Sequence, residues 1–297
     1  MKRREEILKR LKKINAIPGA GVTVINLLQN PDFDVNDLIS RIEFDASLTS
    51  NVLRMANSSM YGYSGTTGSL KEAVVRLGAN NIYKMVVASV VAPVARQSIR
   101  GYDLPAGELW LHAASTAVGI EKIALHMNIK LPNYAFTAGI LHDIGKIAIG
   151  TLLEVDDEPI RFLLRRKRYS FEVAEEKVLG INHAEAGAIL LKSWNFPEEI
   201  VDAVRWHHEP SKASGDSTVV ELLHLADSFS MMGGFGNGKD GLYYKLDSDV
   251  FEKYGIKNNK AEEIIASITL ALEELKDCYE IDFSLGGKTD VTECSSC

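Results

Sequence analysis

Apolar residues recur at three- and four-residue spacing along nearly the whole chain, and no apolar run is followed by a hairpin signal and a partner run. That rhythm restricts the backbone to helices. Residues 4–14 place Ile7, Leu8, Leu11 and Ile14 on one face. Asp34 is positioned to cap a helix through Val35, Leu38, Ile39 and Ile42. A helix over 48–56 ends near Asn57-Ser58-Ser59, and residues 61–68 read as a Gly/Ser/Thr loop. Ser69 and Glu72 have the spacing of a capping box, opening a helix through Ala73, Val74 and Leu77 that Gly78 stops. Residues 80–100 hold a long apolar helix with Pro93 near its middle or at a break. Val22-Thr23-Val24-Ile25 has strand character but no partner. The chain is expected to be all-α.

Residues 101–105 read as a linker, followed by helices at about 106–127, 134–153, 157–167, 171–179, 183–194, 197–207 and 217–231. Residues 233–241 read as a flexible loop, 259–278 as a helix, and the polar residues from Ser284 onward as a disordered tail. Three parts follow: 1–100, 101–231 and 232–297.

Within the middle part lie eight residues able to ligate metal: Glu108, His112, His142, Asp143, His183, His207, His208 and Asp227. They hold five of the chain's seven histidines. Imidazole with carboxylate suits Fe or Mn, and also Zn or Ni, without thiolate. Glu108 and His112 are four apart and share a helix face. Adjacent helical residues diverge by about 100°, so His142 and Asp143 reach one site together only if it lies between them. A pair of ions meets that condition, with Asp143 bridging. Two ions about 3.5–4 Å apart activate water and clamp a phosphoryl oxygen. Lys146, one turn after His142, is placed to neutralise phosphate charge, which makes Asp143 and Lys146 the candidate catalytic pair. His126 and His224 stand outside the set and are expected to be core residues with satisfied ring nitrogens.

Other features exclude more than they suggest. Net charge is −7, which gives general nucleic-acid binding no electrostatic support. The basic groups Lys2-Arg3-Arg4 and Arg165-Arg166-Lys167-Arg168 read as solvated helix faces. The most apolar stretch, 134–153, is interrupted by His142, Asp143 and Lys146, against a membrane span. The charged N-terminus lacks a signal peptide, and three cysteines make no disulfide framework, so a cytoplasmic protein is expected. Residues 233–240 fit part of a phosphate loop, but Asp240 replaces the metal-binding Ser or Thr and a helix precedes it. Cys294 and Cys297 have the spacing of a zinc or redox pair, within a polar tail.

Leu141–Lys146 resembles the signature of the HD superfamily of metal-dependent phosphohydrolases. The order of the eight ligands resembles the HD-GYP cyclic-di-GMP phosphodiesterases, and each ligand falls on a ligand position of that family. After Trp206–Pro210 the chain departs: Ser211–Asp216 stands where HD-GYP proteins carry Asp-Gly-x-Gly-Tyr-Pro, which weighs against that substrate. The N-terminal half resembles HDOD domains, in Asn30-Pro31-Asp32 with Asp37-Leu38-Ile39, in Ile42–Leu48, in Met55-Ala56-Asn57-Ser58 and in Glu72–Gly78. The resemblance implies a helical HDOD architecture with an HD-type helical subdomain, in a bacterial signalling protein that works through a signalling partner or a nucleotide ligand. The preferred expectation is a regulatory module with a retained di-metal site. The alternative is a phosphohydrolase acting on a nucleotide or cyclic dinucleotide. A homodimer through the apolar segment 86–94 is a further option.

Overall fold

The computed structural model describes residues 2–12, 34–43, 45–58, 65–153, 157–241 and 243–279. Among them every regular element is helical, apart from one isolated bridge between Ile99 and Leu104. The strand-like run at 22–25, the Asn30-Pro31-Asp32 motif, Cys294, Cys297 and the tail from Ser284 fall outside the described residues.

Three helices form an apolar layer: α2 (Val35–Glu43), α3 (Ala46–Ala56) and α4 (Leu70–Ala95). α1 (Lys2–Leu11) lies elsewhere. Glu72 N–H donates to the Ser69 hydroxyl at the start of α4, as the sequence suggests. The reciprocal half of the cap comes from Thr67, whose hydroxyl donates to Glu72 and accepts from Ser69 N–H. Gly78 does not end α4. It kinks it, with φ +74 and ψ 158, and the helix resumes to Ala95 with Pro93 in its last turn. By length and composition α4 is long and apolar enough to cross a membrane, yet Ile82, Met85, Val86, Val87 and Val91 are fully buried inside the fold. Within 86–94, Ser89, Pro93 and Val94 are not buried.

The second group is built on α5 (Glu108–Met127), which is buried nearly all round. It packs against α6 (Tyr134–Leu141), α12 (Thr218–Met232) and α14 (Asn258–Tyr279). Between them in sequence come α7 (Lys146–Leu153), α8 (Glu158–Lys167), α9 (Phe171–Leu179), α10 (His183–Ser193) and α11 (Glu198–Trp206). A short α13 (Ser248–Lys253), capped by Asp247, was not legible in the sequence pattern. α1 packs on α7 and α10, not on the apolar layer. The Arg4 guanidinium fixes it there by donating to Gly180 O at 2.5 Å and Glu185 at 2.7 Å.

Two expectations change. The segment 101–105 is no linker: Ile99, Tyr102 and Leu104 are buried, and Arg100–Tyr102 is a 3-10 turn packed on α7. The expected helix 134–153 is two helices, because the chain turns out of helix between Leu141 and Lys146. Gly145 permits that turn. A Cβ there would collide with the backbone of His183 and Gly187, so only glycine lets the turn press onto the start of α10.

Candidate metal centre

The turn after α6 carries His142 and Asp143 inward together, which a continuous helix would not do. Around it stand His112 from α5, His183 at the first position of α10, His207 and His208 just beyond α11, and Asp227 from the middle of α12. Asn182 caps α10 by accepting from Glu185 N–H and so fixes where His183 begins the helix. The donor atoms fall into two groups, His112–His142–Asp227 and His183–His207–His208, each within 4.8 Å of one another. Asp143 faces both. Its Oδ2 lies 3.5 Å from His112 Nε2 and 3.4 Å from His142 Nε2. Its Oδ1 lies 3.4 Å from His183 Nε2 and 3.9 Å from His207 Nε2.

The outer ring nitrogens define the chemistry of the inner ones. Nδ1 of His142 faces Gly139 O at 2.8 Å, that of His207 faces Val204 O at 2.7 Å, and that of His112 faces Phe235 O at 3.1 Å. Nδ1 of His183 faces the Glu175 carboxylate at 2.7 Å. Carbonyls and carboxylates only accept, so each Nδ1 carries its proton and donates. The Nε2 atoms are thereby turned inward, the orientation that metal-bound imidazoles take; without a metal, His112 Nε2 donates to Asp227 Oδ1 at 3.0 Å. Among the described residues, buried His207 Nε2 has no hydrogen-bond partner. His112 and His142 bring Nε2 atoms within 3.2 Å, and His183 and His208 within 2.8 Å. Bare nitrogens at these separations repel unless a proton or a cation lies between them. The residues therefore fit a metal, by donor type, by orientation and by one orphaned donor.

Charge balance points the same way. Burial disfavours an imidazolium at His142, yet Asp143 and Asp227 hold the ring up at about 10. Burial, helped by His142 and His183, pushes His207 down to about 3. Despite burial, Lys146 and His142 keep Asp143 well below the usual carboxylate range, and His112 and His142 do the same for Asp227.

The structure gathers seven of the eight predicted ligands. Glu108, one turn before His112, is buried beside the cluster without a hydrogen bond to it, and burial raises its carboxyl. Lys146 is also placed differently from the expectation. Its Nζ lies 2.6 Å from Asp143 Oδ2 and 2.6 Å from Asp240 Oδ2, beneath the rings of Tyr102 and Tyr244. Two carboxylates already match its charge, so a phosphate could use it only by displacing Asp240. His224 matches its expectation, donating to His207 O at 2.8 Å and accepting from Asp247 N–H at 3.0 Å. His126 does not. It is exposed in the last turn of α5.

Several supporting residues escaped the sequence reading. Glu175 is fully buried and also accepts from the Tyr102 hydroxyl and from His183 N–H. It shares a face of α9 with buried Phe171 and Leu179, and an acid at that spacing was the available signal. Tyr244 lies flat on His208, 4.4 Å between centroids at 11°, and donates to Asp240. The segment 233–241 is fastened over the cluster. Phe235 O accepts from His112, Asp240 pairs with Lys146, and Lys239 N–H donates to Tyr102 O. Gly236 approaches so closely that a Cβ would collide with Glu108 O. No phosphate loop forms there.

A family model described as the HDOD domain matches residues 14–210. An uncharacterized protein of Treponema pallidum (strain Nichols) is 25% identical over 205 residues, covering 68% of this chain. This chain spans 39% of that relative's length. Among solved structures, a candidate phosphohydrolase from Shewanella amazonensis SB2B superposes with a TM-score of 0.67 at 22% identity, over 93% of this chain and 97% of that one. An HDOD domain protein of unknown function from Geobacter sulfurreducens gives 0.67 at 20% identity, over 94% and 96%. These likenesses establish a shared all-α fold.

Proposed function

The chain belongs to the HDOD domain family, and on that premise we propose that it is a bacterial regulatory protein built around a buried di-metal centre. His112, His142 and Asp227 would hold one divalent ion, and His183, His207 and His208 the other, with Asp143 between them. Fe or Mn is favoured, and Zn or Ni also suits the donors. Bound ions would supply the positive charge that the inward Nε2 atoms and two carboxylates require.

The observation that carries the regulatory reading is closure. His142, His183 and His207 are fully buried, Tyr244 covers His208, and Lys146 is saturated by Asp143 and Asp240. A hydrolytic centre needs a face open to substrate and water. A centre that organises five helices and turns needs none. The second reading, a phosphohydrolase, is favoured by one feature: the two oxygens of Asp143 face the two ligand groups separately.

Elemental analysis of chain purified without chelator, alongside a panel of cyclic-di-GMP, bis-p-nitrophenyl phosphate and nucleoside triphosphates, separates the readings. The expected result is about two transition-metal ions per chain and no turnover. Turnover that is lost in Asp143→Ala would install the hydrolase reading. Absence of metal, with no uptake of Fe²⁺, Mn²⁺ or Zn²⁺, would sink both.

A further inference from the structure

The C-terminal end of α8, the turn that follows it and the segment 243–245 line an open groove of about 390 Å³, on which Arg165, Arg168, Tyr243 and Lys245 are exposed. Its lining is Leu164, Arg165, Arg168, Tyr169, Ser170, Tyr243, Tyr244 and Lys245. This is within the size range of small-ligand sites, which run from about 300 Å³ upward. Three features separate it from a solvated basic face. No acidic residue lines it. Arg165, Arg168 and Lys245 have no ion-pair partner among the described residues, whereas Arg161 and Lys239 in the adjoining cavity are both taken by Asp157. The three cations also come from different backbone settings. The negative end of the α8 dipole explains cations in its last turn, including Arg165. It does not explain Lys245, contributed by a remote segment, nor Arg168, which sits beyond the helix at φ +52 where glycine is the usual residue.

We propose that this groove binds a phosphorylated nucleotide. Its phosphates sit on Arg165, Arg168 and Lys245, and its base stacks on the part-exposed ring of Tyr243. Two guanidiniums and an ammonium lining one groove suit the fork geometry and charge of a phosphate chain. The exposed ring of Tyr243 supplies a flat face for a base. The back wall is Tyr244, whose ring lies on His208, so the ligand shares a wall with the candidate metal centre. The proposal goes beyond the metal reading and does not rest on it.

Titration calorimetry on the full chain as purified, without chelator, and with GTP and inorganic pyrophosphate as probes, tests this; the groove substitutions separate this site from the candidate metal centre. GTP should bind saturably, more weakly as ionic strength rises. Substituting Gln for Arg165, Arg168 and Lys245 together should weaken GTP by about tenfold or more. The same exchange at the exposed Lys9, Lys71 and Lys130 should leave it unchanged. Tyr243→Ala should weaken GTP and spare pyrophosphate. No saturable GTP binding overturns the proposal, as does binding that the groove triple leaves intact or the control triple weakens equally. Pyrophosphate binding as tightly as GTP overturns the base contact. Circular dichroism of each variant excludes loss of fold as the cause.

Discussion

The layer α2–α4 buries almost only apolar side chains, whereas the bundle around α5 buries charged groups and imidazoles among its apolar ones. Among described residues before Glu108, Thr67 is the one polar residue that is buried. From Glu108 onward the interior contains His112, His142, Asp143, Lys146, Glu175, His183, His207, Asp227 and Asp240. An apolar interior is stable in proportion to the area it removes from water. A charged interior is stable only while each group is matched, since an uncompensated buried charge costs far more than the pair contributes. The first region should therefore be indifferent to metal, and the second should depend on it.

The largest test of that contrast is Asp143→Ala. It strips the shared counter-charge from Lys146 and four imidazoles, and should cost about 3–5 kcal/mol in chemical denaturation while releasing the bound metal. Chelator applied to the parent protein should lower its melting temperature, because an ion that binds only the native state stabilises it by mass action. A parent that melts identically with and without chelator would erase the distinction between the regions. In the apolar layer, Ile42→Ala should cost about 3 kcal/mol by creating a cavity, with metal content unchanged by elemental analysis. Metal loss in that variant would mean that the two regions are one cooperative unit.

Glu175→Gln sharpens the comparison further. It preserves volume but removes the charge that fixes His183, and should lower metal affinity about tenfold in competition against a chelating dye. The smallest effect belongs to Glu221, outside the cluster. Burial raises its carboxyl, but Lys253, Tyr254 and Ser217 outweigh that and hold it below its ordinary 4.5. A lowered folded-state value means stability present above pH 4.5 and lost as pH falls through the folded value. Because Lys253 is half exposed, Glu221→Gln should cost only about 1 kcal/mol at pH 7. The difference should vanish at acid pH. A penalty that persists there would assign it to packing.

Legibility in the sequence followed the range of the interaction. Most helix positions from 108 onward were readable because periodicity is local; the break between Leu141 and Lys146 and the short α13 were not. The ligands were readable because histidine is rare and the His142-Asp143 pair is distinctive. The supporting residues act across long separations: Tyr102 on Glu175, Asp240 on Lys146, Tyr244 on His208. Nothing near Asp240 in sequence marks it as a partner of Lys146. Glycines at 233, 234, 236 and 238 read as freedom, where at 236 the small residue instead permits close contact. Residues 101–105 misread for the same reason, since Tyr102 is buried by partners remote in sequence. Lys146 read as a free cation because the acid opposite it lies 94 positions away, at Asp240.

The Tyr244 ring lying on His208, and tied through Asp240 to Lys146, has a bearing on time as well as on affinity. An ion seated behind that ring can leave only when the segment carrying it lifts, so its dwell would follow the rate of a local opening and not the strength of its bonds. Exchange of a labelled ion should then slow with every contact that holds Tyr244 down. Tyr244→Ala should shorten the dwell while leaving the ligand set untouched. With the proposed ions bound, a protein arranged this way would keep a memory of past metal supply and lag behind the present one.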